Sequence, residues 1–164
     1  MGHIWLIGMM GSGKTTVGHK LADGLGVPFI DSDDEVVAAT GWNIEDLFSE
    51  SEAAFRSAEI DAIARIATMD DSVVATGGGA VLDPANVAAM RSTGTTVLLE
   101  ADVQTLSARL SGTDDRPLLT DSGDIATISA DRASVYTASA DRIVDTTNMD
   151  IEEVVEEVSR CVAM

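Results

Sequence analysis

The sequence predicts an α/β fold, a three-layer sandwich in which helices cover both faces of a parallel β-sheet. Five short apolar segments alternate with longer segments of helical periodicity along the 164 residues. The apolar segments are continuous runs, which is typical of strands buried on both faces. The first of them leads directly into a glycine-rich stretch, GMMGSGKTTVG at 8–18, which opens a helix. Together these observations favour a single nucleotide-binding domain over residues 1–164.

The predicted strands and helices follow one another in a regular order. The strands are 3–8, 27–31, 72–79, 95–100 and 142–146. The helices are 14–25, 34–40, 43–48, 52–69, 85–92, 102–111, 124–139 and 150–162. The first helix is stopped by Gly26 and Pro28, and the third strand ends in three glycines. Because helices separate consecutive strands, the connections are crossovers and the sheet is expected to be parallel.

The chain is strongly acidic. Its 28 acidic and 10 basic side chains give a net charge of −18, and Lys14 and Lys20 are its only lysines. This charge argues against binding to nucleic acid or to an anionic membrane, which both need a basic surface. Many carboxylates with few lysines suggest adaptation to salt, because self-repulsion destabilises the compact state at low ionic strength. An anionic ligand must be held by some of the few basic residues.

Further features favour a cytoplasmic location. Cys161 is the one cysteine of the chain, so no internal disulfide can form, which suits a reducing compartment. The apolar runs are far shorter than the roughly 20 residues that a membrane span needs. The N-terminal MGHIWLIG has no charged segment before its apolar run, so no signal peptide is expected. We expect a cytoplasmic monomer.

The glycine-rich stretch matches a phosphate-binding loop. Gly8, Gly13, Lys14 and Thr15 satisfy G-x-x-x-x-G-K-[ST] between a predicted strand and a predicted helix, which is the context that this motif requires. Backbone N–H groups and the helix N-terminus surround phosphate oxygens, the lysine reaches the β- and γ-phosphates, and the threonine offers a hydroxyl to Mg²⁺. The motif predicts a bound Mg²⁺–nucleoside triphosphate. The candidate residues are Gly11, Ser12, Gly13, Lys14, Thr15 and Thr16.

The phosphate acceptor separates two classes of P-loop protein. A switch or motor transfers the phosphate to water, whereas a small-molecule kinase builds a second pocket and closes a lid that excludes water. The segment GTDDRPLLTDSGD at 112–124 has the size and composition of a lid, and no guanine-reading N-K-x-D stretch occurs. A small-molecule kinase is favoured, and a nucleotide-binding regulatory domain is the alternative from another class.

Five blocks in a fixed order give the chain a specific resemblance. They are GMMGSGKTTVG at 8–18, FIDSDDEV at 29–36, FSESEAAFRSAE at 48–59, ATGGGAV at 75–81 and RPLL at 116–119, with a looser sixth, DRASVY, at 131–136. On these blocks the chain resembles the shikimate kinases. The resemblance implies strand order 2-3-1-4-5, a substrate-binding helical region at about 32–62, and ATP-dependent phosphorylation of the shikimate 3-hydroxyl. A gluconate kinase is the alternative within the same fold.

The resemblance also assigns residues to the acceptor. It implies that Asp33 accepts hydrogen bonds from shikimate hydroxyls and orients or deprotonates the attacking one. It implies that Arg56 and Arg132 hold the carboxylate, which the planar fork of arginine matches. The triple glycine gives close access to backbone N–H groups, since any Cβ would hold the substrate away. Its members are Gly77, Gly78 and Gly79.

For the donor, the resemblance implies ATP with Mg²⁺. Asp31 would join Thr15 in the Mg²⁺ shell, and Arg109 would pack along the adenine. Arg116 heads the lid and would neutralise charge on the transferring phosphoryl group together with Lys14. Lys14, Asp33 and Arg116 are therefore the predicted catalytic residues.

Two stretches depart from the family pattern. FSESEAAFR at 48–56 is one residue shorter than usual and lacks a glycine, and this departure affects the geometry of the loop that borders the substrate-binding region. TTNMDIEE at 146–153 lacks the Arg and Pro often found near the adenine, and this departure affects the expected contacts between the protein and the nucleotide base.

Overall fold

The computed structural model describes residues 1–111 and 125–164 and confirms the three-layer α/β sandwich. Its five strands pair in parallel in the order β2-β3-β1-β4-β5, as expected. They are β1 His3–Ile7, β2 Phe29–Asp31, β3 Val73–Ala75, β4 Gly94–Glu100 and β5 Arg142–Asp145. The lid predicted at 112–124 lies outside the described residues.

Helices connect the strands on both sides of the sheet. They are α1 Lys14–Leu25, α2 Ser32–Thr40, α3 Ile44–Glu50, α4 Glu52–Ile66, α5 Pro84–Thr93, α6 Val103–Leu110, α7 Ile125–Ser139 and α8 Ile151–Ala163. A short 3₁₀ turn, Ala80–Leu82, follows the triple glycine and was not predicted. None of the described helices has the length and apolar character needed to cross a membrane.

Alternate residues of β1 to β4 supply two separate cores, which explains their continuous apolar runs. On β1, Trp5 and Ile7 pack on one face with side chains of α4, α5, α6 and α7. Ile4 and Leu6 pack on the other face with α1 and α8. Successive side chains of a strand point to opposite faces, so a strand between two helical layers has to be apolar throughout.

A third, smaller core lies within α2, α3 and α4, and we call it the helical cluster. Its buried side chains are Val36, Leu47, Phe55 and Ala62. Helices α3 and α4 are joined through Ser51, which ends the first and caps the second by accepting a hydrogen bond from the Ala54 N–H at 2.9 Å. This shared capping residue accommodates the short FSESEAAFR stretch without a separate loop.

Candidate active site

The phosphate loop connects β1 to α1 and forms a cradle for an anion. Gly11 and Gly13 have φ angles of 81° and 96°, in the left-handed region that favours glycine. Gly13 is also the N-cap of α1 and offers no side chain to the first N–H groups of the helix. These N–H groups remain available to a ligand, and the helix dipole favours a negative one.

Lys14 is held against this loop. Its Nζ donates to the carbonyl oxygens of Gly8 at 2.7 Å and Met9 at 2.9 Å, and the residue is 9% exposed. Ser12 is buried, and its Oγ has no hydrogen-bond partner within residues 1–111 and 125–164. Thr15 and Thr16 stand exposed in the first turn of α1. The donor set, a buried ammonium, hydroxyls and helix N–H groups, fits the phosphates of a nucleotide.

Asp31 and Asp33 lie where β2 ends and α2 begins. Asp31 caps α2, and its Oδ1 accepts a hydrogen bond from the Asp33 N–H at 2.9 Å. For this reason α2 starts at Ser32, two residues before the predicted start, and Asp33 belongs to the helix. Burial raises the pKa of Asp31. Burial, followed by the charges of Asp31 and Glu59, raises the pKa of Asp33 to about 6.

Arg56 lies on α4 and forms an ion pair with Glu59. Its Nη1 is 2.9 Å from Glu59 Oε1, and its Nη2 is 3.7 Å from Glu52 Oε1. The guanidinium also lies 5.1 Å from the ring centre of Phe55. Glu59 is 1% exposed, and burial raises its pKa while the Arg56 charge acts in the opposite direction. The sequence prediction did not include Glu59, although its position three residues after Arg56 in the quoted block was a usable signal.

The triple glycine follows β3 and lies beside both acids. A Cβ on Gly77 would stand 2.9 Å from Glu59 Oε2 and 3.0 Å from Asp33 Oδ1. The first distance is shorter than real Cβ contacts and the second is tighter than most of them, so the absence of a side chain allows these carboxylates to approach the backbone. The N–H of Gly77 donates to Ser32 Oγ at 3.1 Å and is therefore already engaged. The assignment of Gly77 to the substrate site stays a prediction.

The two arginines approach the other two glycines. A Cβ on Gly78 would stand 3.4 Å from Arg132 Nη1, and one on Gly79 would overlap the guanidinium of Arg56. In the part of the chain that the structure describes, no partner is found for the N–H groups of Gly78 and Gly79. The structure thus brings together Arg56 and Arg132, which lie far apart in the sequence, at one glycine loop.

Three buried charged atoms around this loop lack hydrogen-bond partners among the described residues. They are Asp33 Oδ1, Glu59 Oε2 and Arg132 Nη1. Buried polar atoms are normally paired, because each unpaired one carries a desolvation cost. A small ligand that carries both an anionic group and hydroxyls would satisfy the arginine and the two acids together.

Arg109 connects the donor side to the far end of the sheet. From α6, its Nη1 donates to Thr146 Oγ1 at 3.1 Å and its Nη2 to the Thr146 carbonyl at 3.0 Å, after β5. A longer contact of 3.4 Å reaches the Gly11 carbonyl of the phosphate loop. Arg109 therefore lies between the two segments expected around the base. Arg116 lies outside the described residues.

Taken together, the parallel sheet, the phosphate loop after β1 and a second charged pocket at the ends of β2 and β3 define a small-molecule kinase of the P-loop class. A family model described as "Shikimate kinase" matches residues 10–163. A shikimate kinase of Symbiobacterium thermophilum is 41% identical over 162 residues, which cover 95% of this chain and 93% of that protein. The chain belongs to the shikimate kinase family, and the family and enzyme class predicted from the sequence are confirmed.

Solved structures agree with this assignment. The shikimate kinase from Acinetobacter baumannii, solved in complex with shikimate, superposes with a TM-score of 0.93 at 30% identity, covering 99% of this chain and 93% of that one. A gluconokinase from Sinorhizobium meliloti gives a TM-score of 0.61 at 20% identity, covering 99% of this chain and 94% of that one. The second likeness shows a shared fold and carries no argument for gluconate.

Proposed function

We propose that the chain transfers the γ-phosphoryl group of ATP to the 3-hydroxyl of shikimate, giving shikimate 3-phosphate and ADP in the biosynthesis of chorismate and aromatic amino acids. The observation that carries the proposal is the set of buried atoms of Asp33, Glu59 and Arg132 around the triple glycine that have no hydrogen-bond partner within residues 1–111 and 125–164. Shikimate is a small cyclic carboxylate with hydroxyls, so it matches a pocket that offers both cations and acceptors. Family membership supports the same substrate.

On the acceptor side, Arg56 and Arg132 hold the shikimate carboxylate and Asp33 receives the hydroxyl. With a pKa of about 6, Asp33 is mostly ionised at neutral pH and can accept the proton of the attacking hydroxyl. Glu59 keeps the Arg56 guanidinium in place through the 2.9 Å ion pair. Gly78 and Gly79 add N–H donors. Gly77, which has no side chain, lets the carboxylates of Asp33 and Glu59 lie close to the backbone.

On the donor side, Lys14 and the N–H groups of Gly11 and of residues 13–16 bind the phosphates of ATP. The Thr15 hydroxyl and the second carboxylate oxygen of Asp31, whose Oδ1 is engaged by the Asp33 N–H, suit the water-rich shell of Mg²⁺. When bound, Mg²⁺ supplies positive charge that offsets the charge of the transferring group.

Further assignments complete the proposal. Arg109 contacts the adenine, and Arg116 covers the transferring phosphoryl group as part of a lid at 112–124. The chain acts as a single domain over residues 1–164, as a monomer and in the cytoplasm. The lone cysteine supports this location.

A coupled assay of ADP release with shikimate, quinate and gluconate tests the proposal. We expect turnover with shikimate to exceed turnover with the other two by orders of magnitude. Turnover with gluconate only would favour the alternative kinase, and turnover with none of them, while ATP still binds, would favour a regulatory domain. Either result would refute the proposed function.

A further inference from the structure

The three carbonyl oxygens of the triple glycine are all engaged, and one of them accepts from a distant side chain. Those of Gly77 and Gly79 accept from the N–H groups of Ala80 and Leu82, at 3.1 Å and 3.0 Å, within the 3₁₀ turn. The carbonyl of Gly78 instead accepts from the Tyr136 hydroxyl at 2.5 Å. The turn therefore fixes two peptide groups by itself, and the Gly78–Gly79 peptide depends on Tyr136.

The orientation of this peptide decides where one donor points. No cis peptide bond occurs among the described residues, so the C=O of Gly78 and the N–H of Gly79 point in opposite directions from one plane. Fixing the carbonyl toward Tyr136 therefore directs the Gly79 N–H away from it. Glycine restricts neither neighbouring torsion angle, so without this contact the peptide can rotate at little cost.

Tyr136 is well placed to act as an anchor. It is 4% exposed, it lies in the main core, and burial raises its pKa, so the hydroxyl stays protonated as a donor at neutral pH. Arg132 lies one helical turn before it on α7 and therefore on the same face. The hydroxyl contact thus also fixes the position of α7, and with it Arg132, against the glycine loop.

We propose that Tyr136 is a positioning residue for the acceptor: its hydroxyl holds the Gly78–Gly79 peptide so that the N–H of Gly79 donates to shikimate. The inference rests on the proposed function, because it specifies how the same pocket presents a donor to shikimate. Tyr136 acts through the backbone and makes no contact of its own with the substrate.

Steady-state kinetics of Tyr136→Phe test this role, because the substitution removes the hydroxyl and keeps the ring in the core. We expect the KM for shikimate to rise roughly fivefold, as for one lost hydrogen bond, and the KM for ATP and kcat to stay within about twofold. Thr137→Val is the matched control, since it removes a neighbouring hydroxyl whose one hydrogen bond among the described residues is to the Ala133 carbonyl of its own helix, at 3.0 Å. The control should leave both KM values unchanged.

A purely structural role would lower the melting temperature and leave the two KM values in their original ratio, and this result would overturn the proposal. Shikimate turnover by the unaltered enzyme separates the two hypotheses. If it is absent, the proposed function fails; if it is present and Tyr136→Phe matches the unaltered enzyme, the positioning role alone fails.

A second measurement needs no substitution, because Tyr136 is the single tyrosine of the chain. Labelling with 3-fluorotyrosine gives one ¹⁹F resonance. Hydrogen bonding of the Gly79 N–H to shikimate should polarise the shared peptide and strengthen the Gly78–Tyr136 contact. We therefore expect the resonance to shift when shikimate saturates the enzyme and to stay in place with ADP alone. An unchanged resonance on saturation with shikimate would overturn the proposal even if Tyr136→Phe fails to fold.

Discussion

Replacing Asp33 by Asn should stabilise the protein while abolishing its activity. Asp33 is largely buried beside Asp31 and Glu59, its Oδ1 has no partner among the described residues, and its pKa is raised from 3.8 to about 6. Each factor of ten in a protonation equilibrium corresponds to about 1.4 kcal/mol, so keeping this carboxylate ionised in the fold costs about 3 kcal/mol. A neutral amide of the same shape avoids this cost. Turnover should nevertheless be lost and ATP affinity retained, since the acceptor hydroxyl loses its base.

Because folding raises the pKa of Asp33, the gain in stability from Asp33→Asn should depend on pH. A carboxyl group whose pKa is raised by folding stabilises the fold below its ordinary pKa of 3.8, and this stabilisation is lost as the pH rises through about 6. The variant cannot titrate at this position. Its advantage should therefore be about 3 kcal/mol at pH 8 and about half of that at pH 5.

Thermal and urea unfolding of both proteins at the two pH values measure this difference. For a domain of this size, 3 kcal/mol corresponds to a melting temperature higher by roughly 6–12 °C at pH 8. Asp34→Asn is the matched control, because Asp34 is the exposed neighbour in the same helical turn and, through its charge on Asp31 and Asp33 alone, should give a much smaller gain. An Asp33→Asn variant that is less stable at pH 8, or whose difference is independent of pH, would refute the reasoning about a buried ionised carboxylate.

The remaining predictions concern the arginines and the surface charge. Arg56→Lys should raise the KM for shikimate about tenfold, since a lysine cannot reproduce the bidentate fork, whereas Arg65→Lys on the same helix should change it less than twofold; equal effects would contradict the assignment. Arg109→Ala should raise the KM for ATP several-fold with little change for shikimate, because its contacts join Thr146 to the phosphate loop; a change confined to shikimate would be the contrary result. The melting temperature and activity should rise from dilute buffer to 1 M potassium chloride, because salt screens a net charge of −18; if they fail to rise, salt adaptation is ruled out.

Local sequence signals were sufficient for most of the fold and for the position of the phosphate loop. The phosphate loop is a short motif of fixed spacing between a strand and a helix, so Lys14 and Thr15 could be assigned directly. Arg56 could be placed by its block, and the strand order followed from the resemblance. Helix ends were less accurate, because the start of α2 depends on a cap by Asp31, a side chain that the sequence analysis had assigned to the metal alone.

The rest of the site depends on contacts between residues that are distant in the sequence. The Ser32 hydroxyl accepts a hydrogen bond from the N–H of Gly77, 45 positions away in the sequence. The Tyr136 hydroxyl donates to the carbonyl of Gly78, 58 positions away. A serine at the start of a helix and a tyrosine in an apolar stretch are common, so their spacing carries no signal. Glu59 could have been recognised as a partner of Arg56, but its burial to 1% exposure becomes evident only once α4 packs against the glycine loop.

Helix α4 crosses from one core to another, so its two ends are held by cores of different size. Ile63 and Ile66 anchor its later turns in the core beneath the sheet, whereas Phe55 belongs to the helical cluster. Helix α3 contributes only to that small cluster, which buries few side chains and can open at a lower free-energy cost than the sheet. The later turns of α4 are thus held by the main core, whereas Arg56, next to Phe55, lies in the part of the helix that packs against α3 in the smaller cluster.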